Sequence, residues 1–193
     1  MKLFTDIARE LSAYEDRRDK VIRVSRDHLR EAKRIIFLCH EGKINEANSR
    51  LKTLTGALKK DGQIFSKSLK GSKDRFMVTH EGSWAAALEE YAESFFLVNV
   101  LLKKKLVEPV IRIPGDILIG GLADMTGELA RLSVMSGAAR DLKAVAAYKK
   151  IVAEVIAFMV PLYVTGSNRQ KVDQAKKNLK RIEEIVYEVT IRQ

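Results

Sequence analysis

The sequence predicts an all-α fold, a single-domain bundle of six to seven helices. Three observations predict it. Proline occurs only three times, at Pro109, Pro114 and Pro161. Long segments without Gly or Pro dominate, and their apolar residues recur at helical spacing. Nothing alternates apolar and polar residues for more than a few positions, so no strand is expected. No stretch rich in Gly, Ser or Pro divides the chain. Residues 1–193 therefore read as one domain, a length that suits a sizeable core.

The first helix is expected over about 3–41, ending near Gly42. At 100° per residue its centre splits into two faces. Val21, Ile22, Val24, Leu29, Ala32, Ile35, Ile36 and Cys39 share one side. Arg23, Arg26, Arg30, Lys33 and Arg34 share the other, with Asp27 and Glu31 at its edge. A second helix covers about 43–60 and continues brokenly toward 70, because Gly56, Gly62 and Gly71 blur its end. Residues 71–83 read as a partly helical connection. Ser83 is a fair N-cap for a third helix over 84–107. Pro109 and Pro114 then break the chain. Asp116 caps a fourth helix over 117–136, Asp141 a fifth over 142–160, and Ser167 a last one over 168–191. On the last, Val172, Ala175, Leu179, Ile182, Val186 and Val189 make an apolar stripe.

Charge narrows the function. Lys and Arg number 35 against 25 Asp and Glu, a formal net charge of +10. That excess points to a polyanionic partner, a nucleic acid or an acidic membrane surface. No stretch reaches about 18 uninterrupted apolar residues, so no membrane span is expected. The first residues lack the apolar run and cleavage site of a signal peptide. The lone cysteine, Cys39, excludes an internal disulfide and a Cys-rich zinc site and suits a reducing compartment, so a cytoplasmic location is expected.

Four carboxylates stand out because their surroundings are apolar. Glu90 and Glu93 lie in LEEYAESFFLVNVLL, and Asp124 and Glu128 in ILIGGLADMTGELARLSV. Ionised carboxylates are rarely buried without a partner, since desolvation costs several kcal/mol or shifts the pKa. Spacings of i,i+3 and i,i+4 place each pair on one face of its helix. Two such pairs facing each other would form an all-oxygen cage for a hard divalent cation, Mg²⁺ or Mn²⁺. The competing reading is a solvated acidic face with an ordinary intrahelical pair between Asp124 and Arg131. Gly120 and Gly121 lie one turn before Asp124 on the same side, which suits close approach of a neighbouring helix or a substrate. A ferritin-like di-iron site is excluded, because no histidine follows a glutamate at i−3 (His28, His40 and His80 follow Ser25, Phe37 and Met77). His28 falls on the apolar side and reads as a core histidine. The basic stripe would contact phosphates, and aromatic residues do not interleave with it, so backbone recognition is expected. No Gly-rich phosphate loop is present, and no serine or cysteine nucleophile is paired with a histidine base.

VSRDHLREAKRIIFLCH (24–40), LEEYAE (88–93), GLADMTGELARLSV (121–134) and NLKRIEEIVYEVTIR (178–192) resemble the translin superfamily, more closely the Trax branch than translin itself. The chain also resembles the short archaeal proteins of that superfamily. The resemblance implies a bundle of about seven helices assembled into a hollow homo-octamer. It implies that Glu90, Glu93, Asp124 and Glu128 match the catalytic, metal-holding acids of Trax, the last two within Asp-x-Thr-Gly-Glu-Leu. It also implies an RNA-binding role for the first helix, including Arg26, Lys33 and Arg34; Arg23 and Arg30 join them by helical face alone. The expected function is a Mg²⁺-dependent endoribonuclease that cleaves RNA, single-stranded or short duplex, by a metal-activated water. The alternative is a non-catalytic, translin-like oligomer that binds single-stranded RNA or DNA. A helical scaffold for acidic proteins is a third reading.

Overall fold

A computed structural model describes residues 2–67 and 81–191, and among these residues every regular element is a helix. The helices are α1 (Lys2–His40), α2 (Ile44–Lys67), α3 (Gly82–Lys103), α4 (Gly115–Ala138), α5 (Leu142–Met159) and α6 (Gly166–Ile191). The all-α expectation holds. Most of the connection expected at 71–83 lies outside the described residues, as do Gly71 and His80.

α3 is the central rod. Every residue from 91 to 100 is buried, because the segment is apolar all round. It packs against α1 and α2 on one flank and α4 on the other, and α5 and α6 close the bundle over α4. Two of its buried polar residues bond within the helix: Ser94 Oγ donates to the Tyr91 carbonyl at 2.9 Å, and Asn99 Nδ2 to Phe95 at 2.8 Å. On α1 the predicted face holds: Val21, Ala32, Ile35, Ile36 and Cys39 are buried, while Arg23, Arg26, Arg30, Lys33 and Arg34 are exposed. His28 is a core histidine, its Nε2 2.8 Å from Asp61 Oδ2 and its ring edge-on to Trp84. On α6, Val172, Ala175 and Ile182 are buried, with Leu179, Val186 and Val189 packed beside them.

Several helix ends differ from expectation. α3 starts at Gly82 with Glu81 in the N-cap position, so Ser83 lies inside the helix, its Oγ buried without a hydrogen-bond partner. α3 also stops at Lys103 rather than 107. Lys104 turns left-handed at φ 57°, its N–H donates to the Val100 carbonyl, and its ammonium lies 5.9 Å from the Tyr148 ring centre. α4 starts at Gly115 behind Pro114, so Asp116 belongs to the first turn, where an acid favours the helix dipole. α6 starts at Gly166, whose positive φ of 59° turns the chain into the helix and makes Ser167 an internal residue. α5 follows the prediction, with the Asp141 carboxylate accepting from Ala144 N–H at 3.0 Å. Gly56 and Gly62 do not interrupt α2. No described helix is long and apolar enough to cross a membrane.

Candidate active site

The seam between α3 and α4 is set by two glycines. A Cβ on Gly121 would lie 2.6 Å from Ala92 Cβ and 2.9 Å from the Glu89 carbonyl oxygen, and one on Gly120 would collide with the Glu89 carboxylate. The neighbouring helix, rather than a substrate, occupies the space that these residues leave. The close approach puts the Glu89–Glu93 turn of α3 beside the Asp124–Glu128 turn of α4.

The four predicted acids share this seam closely enough to repel one another. Glu93 is only 9% exposed. Burial first, and then Glu90, Asp124 and Glu128, push its carboxyl up to about 8, with Lys171 pulling weakly the other way. Glu90 is also raised, by burial and by Asp124, Glu128 and Glu89, against the pull of Lys33. Glu128 is lowered. The hydrogen bond from His40 is the main cause, and the charges of His40 and Arg131 add to it against burial.

Basic side chains meet three of the four. Lys33 Nζ of α1 lies 4.0 Å from Glu90 Oε2. His40 Nε2, at the end of α1, donates to Glu128 Oε2. Lys171 Nζ of α6 donates to Asp124 Oδ2 at 2.5 Å and to Glu89 Oε1 at 2.8 Å. Burial opposes the Lys171 charge, but the hydrogen bonds to Asp124 and Glu89 outweigh it and hold the ammonium above its ordinary value. Asp124 is therefore paired with Lys171, and the intrahelical Asp124–Arg131 pair is not what holds it. Among the described residues no ion pair reaches Glu93, which is consistent with a carboxyl that keeps its proton at neutral pH.

As they stand, no three His, Cys, Asp or Glu side chains among the described residues are gathered tightly enough to hold a metal. The donor chemistry nevertheless fits a hard divalent cation. All four donors are carboxylate oxygens, and the most buried of them is destabilised as an anion by burial first and then by the other three. Glu90, Glu93, Asp124 and Glu128 are the residues that would hold such an ion.

The basic ridge adjoins this seam through Lys33. Toward the start of α1 it is interleaved with acids: Arg30 Nη1 lies 3.7 Å from Asp27 Oδ1, and Asp16 and Asp19 line the same shallow groove as Arg23 and Arg26. Glu31 is drawn off to Arg50 of α2 at 2.9 Å, which leaves Lys33 and Arg34 as the cationic end nearest the acids. The thiol of Cys39 is pushed up to about 12 by burial, with Glu128 adding, so it is no nucleophile.

Glu89, Lys171 and His40 were not singled out from the sequence as site residues. Lys171 carried a signal, because it continues the Ala175–Asn178–Ile182 line of α6 at i+4, i+7 and i+11. His40 carried none: its partner Glu128 lies 88 positions away.

The Translin family model matches residues 16–193. No curated protein matches the sequence. Among solved structures, a crystal structure of AfC3PO superposes with a TM-score of 0.87 at 19% identity, covering 100% of this chain and 99% of that one. Apo-NeC3PO gives 0.83 at 14% identity, with 98% of each chain covered. AfC3PO in complex with duplex RNA gives 0.81 at 20% identity, covering 100% of this chain and 98% of that one.

Proposed function

The chain belongs to the translin family, and from that premise we propose that it is a metal-dependent endoribonuclease of the Trax-like branch. The observation that carries this reading is Glu93: Gly120 and Gly121 bring α4 close against α3, and there its carboxyl is buried within the fields of Glu90, Asp124 and Glu128 and cannot ionise comfortably. A surface acidic patch would have no such penalty. The complex of AfC3PO with duplex RNA supports RNA as the polyanion.

In this reading Arg23, Arg26, Arg30, Lys33 and Arg34 hold the RNA backbone, and the arginines offer planar forks to phosphate oxygens. Lys33 stands where ridge and seam meet, so a phosphate drawn to it comes beside Glu90. Glu90, Glu93, Asp124 and Glu128 would hold Mg²⁺ or Mn²⁺. The ion, when bound, supplies the positive charge that makes water a nucleophile at neutral pH and stabilises the charge growing on the phosphoryl oxygens. His40 fixes Glu128 in its ionised form, ready to bind. The products would be a 5′-phosphate and a 3′-hydroxyl. One domain carries both ridge and seam, which suits a homo-octamer in the cytoplasm. Large exposed apolar residues on α4 and α6, among them Val134, Met135, Tyr187 and Ile191, supply surface for that assembly. Size-exclusion chromatography with light scattering should give an oligomer, and a stable monomer would contradict it.

The test is incubation of labelled single-stranded and short duplex RNA with Mg²⁺ or with EDTA. Cutting should require the ion. It should fall by roughly 100-fold or more in Glu93→Gln and Asp124→Asn, while RNA affinity stays within about twofold. A second reading, the non-catalytic RNA- or DNA-binding oligomer, is favoured by one observation: Lys171 and His40 already bond to Asp124 and Glu128. Tight binding without metal-dependent cutting would decide for it.

A further inference from the structure

The ammonium of Lys171 is the feature of the seam that a nuclease reading leaves unused. It comes from α6, a third helix, and joins a member of the quartet, Asp124, to a carboxylate outside it, Glu89. We propose that Lys171 is a positioning residue that competes with the divalent cation for Asp124: its ammonium neutralises that carboxylate in the metal-free protein and must withdraw before Asp124 can turn to the ion. The inference rests on the reading of the quartet as a metal site.

Three features carry it. The contact is short and charge-assisted, the strong class of hydrogen bond, and it is only partly open to water. The ammonium has somewhere to go. Glu89 Oε1 already accepts from it, so giving up Asp124 leaves it bonded to a second carboxylate rather than stranded. Glu89 itself is well placed as a resting point, because its carboxylate lies over Gly120, where no side chain can push it away. The contrast with Lys33 is instructive. That ammonium stands 4.0 Å from Glu90 on a side chain 62% exposed, a loose pair that water already weakens.

The consequence is a site whose metal affinity is set partly by a lysine that never touches the ion. Competition differs from simple proximity of positive charge, and the two can be told apart. Mn²⁺ binding to the purified protein, without RNA, is followed by calorimetry and by the electron-spin signal of the free ion. Lys171→Met and Lys171→Gln should each bind Mn²⁺ about tenfold or more tighter than the parent, whereas Lys33→Met, which removes the same charge from a looser pair, should change affinity by no more than about threefold. The two Lys171 variants guard against one failing to fold, which circular dichroism checks. Mn²⁺ binding to the Lys171 variants but not to the parent would support the competition and count against the parent as a metal-dependent nuclease. Parent affinity unchanged in Lys171→Met and Lys171→Gln, or raised no more than in Lys33→Met, overturns the competition while leaving the metal site intact. If neither the parent nor any variant binds Mn²⁺, the quartet is no metal site, and the nuclease reading and this inference fall together.

Discussion

The acidic seam between α3 and α4 and the basic ridge on α1 differ less in amount of charge than in access to water. The ridge residues are exposed, so each cation is solvated at little cost and its reach is screened by salt within about 10 Å. The seam residues are half-buried or buried, so every charge there must be met by a partner or a proton. Lys33, His40 and Lys171 are those partners, and Glu93 keeps its proton. Surface charge attracts a polyanion without choosing its chemistry. Charge in the seam acts over a few ångströms, on the groups that come within it. The difference also predicts opposite sensitivities: the ridge to salt, the seam to pH and to single methyl groups.

The largest effect on the protein itself is expected at Glu93. Its carboxyl is raised from 4.5 to about 8, so the folded state holds a proton that the unfolded chain releases. Stability is then greatest below about 4.5 and falls as pH rises to about 8, by an amount on the order of a few kcal/mol. Glu90 shifts the same way and adds to the slope. Glu128 shifts the other way, so its contribution is present above its unfolded value and is lost only on acidification below it. In EDTA, urea titrations between pH 5 and 8.5 should show the parent losing stability and Glu93→Gln losing much less. Equal slopes in both proteins would mean that Glu93 is solvated and that the seam is no different from the ridge.

This contrast explains what could be read from the linear chain. Glu90, Glu93, Asp124 and Glu128 were legible because each interrupts an apolar helix, and a carboxylate in such company needs a reason. The two faces of α1 were legible because a helix 39 residues long repeats its pattern many times. The acids' basic partners were not. Lys171 reaches Asp124 across 47 positions and His40 reaches Glu128 across 88; periodicity can turn Lys171 toward the bundle but names neither partner. Helix starts failed for a related reason. Ser83, Asp116 and Ser167 are good caps by residue type, yet α3, α4 and α6 each begin two residues earlier than expected, where Glu81, Pro114 and the positive φ of Gly166 turn the chain. Only Asp141 acts as the cap its identity suggests. The translin resemblance supplied the roles proposed for the acids, which spacing alone left balanced between a cage and a solvated face.

A smaller effect sharpens the packing side of the comparison. Gly121→Ala adds one methyl group where Ala92 and the α3 backbone leave no room, so the helices must part. A cost of about 1–3 kcal/mol is expected, together with weaker repulsion on Glu93 as Asp124 moves off. Gly56→Ala in α2 makes the control. Its added Cβ meets nothing within 4 Å, so the change should stabilise the protein by about 0.5–1 kcal/mol through helix propensity. Thermal melts of the two variants should move in opposite directions. A downward shift for Gly56→Ala comparable to that of Gly121→Ala would show that the seam is not specially tight.

The ridge should give the smallest change per residue and the clearest salt signature. Arg26→Ala, Arg30→Ala and Arg34→Ala each remove an exposed cation without opening the core. If each meets one phosphate of a single strand, the triple variant should lower the slope of log affinity against log salt by about 2. Affinity should fall by about tenfold or more at low salt and by much less at high salt. Arg30 has Asp27 at 3.7 Å, so its single replacement should matter least of the three. Cleavage at saturating RNA should be unchanged, because in the proposed reading these side chains hold only the backbone. A triple variant with full affinity and an unchanged salt slope would move the RNA path off α1. The cations of α6, Lys176, Lys177 and Lys180 among them, would then be the next surface to test, since they too are exposed.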